Sequence, residues 1–193
     1  MNKAGFLCFM LMIISCQGPV QKKEQWKKSA LDSLADVIDS ISKNDGKKNS
    51  TASRNWIYTE GSDTNGTRKI YRASLAANEL LDFNFPYNGG SVATIQLSNE
   101  AGHNNVLLYV SKGQFNSSFS DGMCIQVCFD EKKPLRFYCS NLPGEKANPV
   151  SINNPDKFID GLKKAQRVVI EADFSGSGMR RMEFASGKLK WEH

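Results

Sequence analysis

Apolar residues over the C-terminal two thirds of this chain fall in short runs separated by turn-forming residues. Runs at 56–60, 68–75, 80–85, 91–98, 106–111, 123–130, 135–140, 167–174 and 180–185 have the length and composition of β-strands. Asn65-Gly66 suits a hairpin turn, Asn88-Gly89-Gly90 breaks the chain between two runs, and 111–122 is a loop rich in Ser, Asn and Gly. One interval has a helical period instead. Asn154 is placed to cap a helix over about 155–165, Pro155 suits its first position, and Asp156 favours the positive end of its dipole. Phe158, Ile159, Leu162 and Ala165 form its apolar face. The expected fold is therefore mostly β: an antiparallel β-sandwich or barrel-like sheet pair with one α-helix near 155–165.

The last two strands allow a register to be read. Val168, Ile170, Ala172 and Phe174 alternate with more polar neighbours, so the even-numbered set should face the core, with Met182 and Phe184 facing the same way on the return. A five-residue loop from Ser175 to Met179 pairs Ala172 with Met182 and Ile170 with Phe184, and sets Asp173 opposite Arg181. A four-residue loop would turn Arg181 toward the core, which disfavours it.

Upstream of Trp56 the chain is polar, with one interruption. Leu31, Leu34, Ile38 and Ile41 recur at spacings of three, four and three, predicting an amphipathic helix over 24–43. An isolated helix of this length is marginal in water, so it docks, pairs with a copy of itself, or is only partly formed. Residues 43–55 have almost nothing to bury and form a linker. The extreme N-terminus has a different character. Met1-Asn2-Lys3, an apolar stretch from Ala4 to Ile14, and Ser15 before Cys16 are the parts of an export signal, too short for a spanning helix of roughly 20 residues. The organisation expected is a signal peptide at 1–15, a tether at 16–55 and a β-rich globular domain at 56–193.

Charge and cysteines narrow the partners. Loss of residues 1–15, whose one charged side chain is Lys3, lowers the formal net charge from +5 to +4, spread along the chain. That lacks the concentrated basic patch that nucleic-acid binding requires. Of five cysteines, Cys8 lies in the signal and Cys124, Cys128 and Cys139 in the body. An oxidising compartment permits a disulfide. Cys124 and Cys128 sit on one strand, about 13 Å apart and too far to bond. A tight turn at Asp130-Glu131-Lys132-Lys133 would set Cys124 opposite Cys139, the expected bridge; the alternative is three small buried hydrophobes. No histidine lies near them, so neither a metal nor any other cofactor is expected.

No catalytic constellation emerges. His103, in Ala101-Gly102-His103-Asn104-Asn105, reads as part of a turn with no nucleophile beside it. Ser175-Gly176-Ser177-Gly178 resembles a phosphate-cradling loop but leads into no helix. Asp63, Asp121 and Asp130 lack the alternating oxygen ligands of a calcium loop. Tyr58, Tyr71, Tyr87, Tyr109 and Tyr138 read as half-buried sheet residues, or as the lining of a groove.

Two resemblances add to this. Ile13-Ile14-Ser15-Cys16 resembles the lipobox of bacterial lipoproteins, although Ile14 is bulkier than the usual residue. The resemblance implies cleavage before Cys16 and acylation of its sulfur and new amino group. Two or more acyl chains anchor a protein stably. Gln17, in place of Asp, implies the outer membrane by the enteric sorting rule. The body, through Trp56, Phe85-Pro86-Tyr87-Asn88-Gly89-Gly90, Gly113-Gln114-Phe115, Val127-Cys128-Phe129-Asp130, Phe158, Phe184, Gly187, Leu189 and Trp191, resembles a family of uncharacterised exported bacterial proteins. Members often carry a cysteine just after Gly-Gln-Phe that pairs near Cys124. Here Asn116, Ser117 and Ser118 stand in that stretch, which frees Cys124 for Cys139. The chain is thus expected to be a membrane-anchored lipoprotein of the cell envelope, a non-enzymatic module that binds an envelope macromolecule. The alternatives are a hydrolase acting on envelope material and a structural subunit assembling through 24–43.

Overall fold

The computed structural model describes residues 55–63, 66–116, 122–142 and 148–193. The signal peptide, Cys16, the 24–43 helix and most of the linker lie outside the described residues. Among the described residues nine strands follow in order: β1 (Ile57–Ser62), β2 (Lys69–Ala76), β3 (Ala93–Glu100), β4 (His103–Val110), β5 (Cys124–Phe129), β6 (Leu135–Asn141), β7 (Val150–Ile152), β8 (Val168–Phe174) and β9 (Gly178–Phe184), with α1 (Pro155–Lys164) between β7 and β8. They form one sheet of order β1-β2-β3-β4-β7-β6-β5-β8-β9, and every neighbouring pair is antiparallel. The fold is mostly β, as the spacing of apolar runs predicts.

The sheet curls so that its two ends approach each other around one core. Asn78 N donates to Glu183 O at 2.6 Å, the Trp56 indole to Ser186 O at 3.1 Å, and Lys190 N to the Tyr58 hydroxyl at 2.7 Å. These bonds tie the β1–β2 side to the chain in and after β9. α1 lies on the enclosed side, where Phe158, Ile159 and Leu162 join the core. Phe129, Phe137 and Phe158 meet edge to face with centroids 5.4 to 6.3 Å apart, the arrangement their ring quadrupoles favour. Asn154 caps the helix, its side-chain oxygen accepting from Lys157 N at 3.4 Å.

Several local expectations change. Residues 80–85 form no strand: Leu81 and Phe83 are buried, but one bridge from Leu81 to Ser91 is the extent of the pairing. Alternation there reports burial without a ladder. Three-residue β7 was hidden, because Val150-Ser151-Ile152 is too short to show a period. His103 opens β4, and the turn is Ala101-Gly102 alone, both at positive φ (51° and 83°) as a two-residue hairpin demands. The last hairpin pairs Ile170 with Met182, Val168 with Phe184 and Glu171 with Arg181, so its loop is shorter by two residues than expected. Gly176 and Gly178 at φ 71° and 70° allow the tighter turn. A slip of two keeps every side chain on its face, so Met182 and Phe184 still point inward.

The Cys124–Cys139 bridge is not formed: both are free thiols, as is Cys128. Cys124 pairs with Tyr138, Ile125 with Phe137 and Val127 with Leu135. The expected register would have set Phe137 opposite outward-facing Gln126. Pairing apolar with apolar on the core side decides the register and sends the two sulfurs to opposite faces.

Candidate binding face

The face of the sheet turned away from the core carries an ordered trough across β1, β2, β3, β4, β7 and β6. Cross-strand pairing lines up Ile57, Ser74, Gln96, Leu107, Ser151 and Ser140 in one row. The next row holds Thr59, Arg72, Ser98 and Asn105, and the one beyond it Gly61, Ile70, Glu100 and His103. On the other side lie Ala76, Thr94 and Tyr109. A hollow of about 310 Å³ occupies this face, lined by Ile70, Arg72, Gln96, Ser98, Glu100, Asn105, Leu107, Leu142 and Ser151.

The polar groups here are unevenly satisfied. Gln96 is 2 % exposed, and its Nε2 has no hydrogen-bond partner among the described residues. A buried amide donor left this way costs about 1–3 kcal/mol, so such groups seldom persist without a reason. Burial pulls the Arg72 guanidinium below its ordinary pKa, and the Glu100 carboxylate pushes it back. Glu100 also meets Arg68 at 3.8 Å, an exposed pair that contributes little. Burial pushes the Tyr109 phenol up to about 12, with Thr94 beside it acting weakly the other way. The trough offers donors at Gln96 and Arg72, a carboxylate at Glu100, hydroxyls at Ser98 and Ser151, and apolar walls at Ile70, Leu107 and Leu142.

A second hollow, of about 260 Å³, lies on the outer face of β5, β8 and β9 and includes Cys128, Asp130, Arg167, Glu171 and Arg181. Its arginines, its thiol and Asp130 are already engaged. Arg167 and Arg181 both reach Glu183 Oε2, at 3.4 and 3.2 Å. The Cys128 thiol donates toward Lys132 O at 2.9 Å. The first hollow is the better candidate for a ligand.

The residues singled out from sequence are scattered. His103 sits at the end of the trough, exposed and opposite Glu100, and no hydrogen bond among the described residues joins it to a nucleophile. The Asp63 carboxylate is taken up by Thr67 N at 2.7 Å and Arg68 N at 3.1 Å, and these backbone bonds, Arg68's foremost, lower its pKa. Asp130 accepts from Gln166 N and Arg167 N. Asp121 lies outside the described residues. Among the described residues no three His, Cys, Asp or Glu side chains converge on a point. Of the five tyrosines, Tyr109 lies opposite Thr94 in the row beside the hollow, and Tyr58 and Tyr138 are 44 % and 50 % exposed. Sequence reasoning missed Gln96, because a polar residue in an alternating strand looks like any solvated outer position.

Comparison with family models, with curated proteins and with solved structures finds no match.

Proposed function

We propose that this chain is a lipid-anchored lipoprotein of the bacterial cell envelope whose β-domain holds an envelope macromolecule in the trough over β2, β3, β4 and β7. The observation that carries the binding face is Gln96, a buried amide donor without a partner among the described residues, set in a hollow with Arg72, Glu100 and apolar walls. A ligand carbonyl or carboxylate would complete it. The anchor rests on Ile13-Ile14-Ser15-Cys16 and the apolar stretch before it. No nucleic-acid partner is part of this reading, because the charge is low and dispersed.

The test uses the full chain expressed in a bacterial host that processes lipoproteins. Fatty-acid labelling should mark the wild type and vanish in Cys16→Ser. A photo-crosslinking residue at Ser98 should capture an envelope component, whereas the same residue at Lys157, on α1, should not. Equal yields at both positions, or none at either, would overturn the trough as the binding face.

A further inference from the structure

We infer that the pole of the domain bearing Leu80, Phe85 and Met179 rests against a lipid bilayer. This inference builds on the anchor at Cys16 proposed above. These three are the most exposed large apolar side chains among the described residues, at 66 %, 87 % and 55 %. They come from two distant segments that the fold brings to one end. Arg180, next to Met179, donates through Nε to Asp82 O at 3.2 Å, in the same excursion as Leu80 and Phe85. Lys112 Nζ reaches Asn88 O at 2.9 Å, and Leu80 lies close against Gly90.

The excursion between β2 and β3 sorts its apolar residues sharply. Leu81 and Phe83 turn inward, 6 % and 4 % exposed, and the Phe83 ring packs on Phe174 with centroids 4.9 Å apart. Leu80 and Phe85 turn outward from the same short stretch. Phe85 stands at the corner of a turn closed by Tyr87 N donating to Asn84 O at 2.9 Å. A well-filled core lies next to side chains that it leaves outside, so these residues are presented by a fixed scaffold. Exposed apolar groups held together in this way mark a contact surface.

Charge and connectivity favour lipid as the occupant. Lys112 and Arg180 on this pole are balanced by Glu79 and Asp82, so attraction would come from apolar insertion, with little salt dependence. β1 begins at Ile57 opposite Ser74, two residues before β2 ends and the excursion starts, so the N-terminal chain joins the domain close to this pole. The roughly 40 residues back to Cys16 would hold the domain within tens of ångströms of an acylated anchor. Tethering raises the local concentration so far that three partly inserted side chains suffice for contact.

The experiment places the full-length, host-processed protein in phosphatidylcholine vesicles containing brominated lipid, and compares Phe85→Trp, Met179→Trp and Lys157→Trp with the parent, position 157 lying beside Asp156, which meets Asn104 at the opposite end of β4. The added emission at 85 and 179 should be quenched about twofold and shifted to the blue, unchanged by raised salt, while that at 157 stays unquenched. Acylated protein with no quenching at 85 or 179 overturns the bilayer contact and leaves the anchor standing. Protein without acyl chains that is still quenched at both supports the contact and removes the anchor. Protein with neither overturns both. Protection of 85 and 179 by a protein partner, with no lipid quenching, also rejects the inference.

Discussion

Cys124 lies directly across the β5–β6 ladder from Tyr138, and that single pairing places the Cys139 thiol on the other surface of the sheet. Cys139 is buried, and burial, with the neighbouring Cys124 adding to it, pushes its thiol up to about 12. A thiol held protonated and out of reach is a poor nucleophile. Alkylation of the folded protein, followed by peptide mass analysis, should modify Cys124 and Cys128, both partly exposed, at least about tenfold faster than Cys139. Denaturant should equalise the three. A peptide joining Cys124 to Cys139 would contradict the register.

Gly161 in α1 faces the Phe129 ring, and a Cβ there would stand 2.3 to 2.7 Å from three ring atoms. Alanine gains up to about 1 kcal/mol of helix propensity over glycine. Overpacking costs about 1–3 kcal/mol. The ring is braced by Phe137 and Phe158, so it has little room to retreat and the clash prevails. Gly161→Ala should lower stability by roughly 1–2 kcal/mol in urea titration. Adding Phe129→Leu should return part of that loss if the ring is the cause.

The Gly161–Phe129 contact also shows where sequence reading stops. Strand and helix positions follow from local period, so β8, β9 and α1 were legible from Val168 to Phe184 and from Asn154 to Ala165. Facing was legible too, because a pleat alternates strictly. Register was not: in β8–β9 a shift of two residues preserves every face, and only the backbone of Gly176 and Gly178 separates the choices. Residues 80–85 misled because Leu81 and Phe83 are buried without a partner strand. Gln96 was invisible, since its meaning depends on three other strands that place Ser74, Leu107 and Ser151 in its row.

Asp130 holds two backbone amides at the join of α1 and β8, Gln166 N at 2.8 Å and Arg167 N at 3.0 Å, while its own φ is 55°. The Arg167 and then the Gln166 backbone bond lower its pKa in the fold. A depressed carboxylate stabilises the folded state above its unfolded pKa, near 3.9, and that contribution is lost as pH falls through the folded value. Asparagine tolerates the left-handed backbone and keeps one acceptor oxygen, so Asp130→Asn isolates the charge. The variant should melt a few degrees below wild type at pH 7, and the gap should close as pH falls below about 4. A constant gap across that range would assign the effect to geometry alone.

The last prediction sets stability against binding at Gln96. Its Nε2 is buried without a partner among the described residues, so its desolvation is uncompensated by them. Gln96→Leu removes that donor and keeps a similar volume, beside Leu107 in the same row. The substitution should leave stability unchanged or raise it by about 1 kcal/mol, measured by urea unfolding of the full chain. Capture of the envelope component from Ser98 should fall about tenfold in the same variant, since a hydrogen bond to a buried polar group discriminates strongly. Ser140→Ala, in the same row but exposed on β6, should change neither quantity. A Gln96→Leu protein that loses stability and still binds would mean that the amide serves the fold and has no part in the ligand.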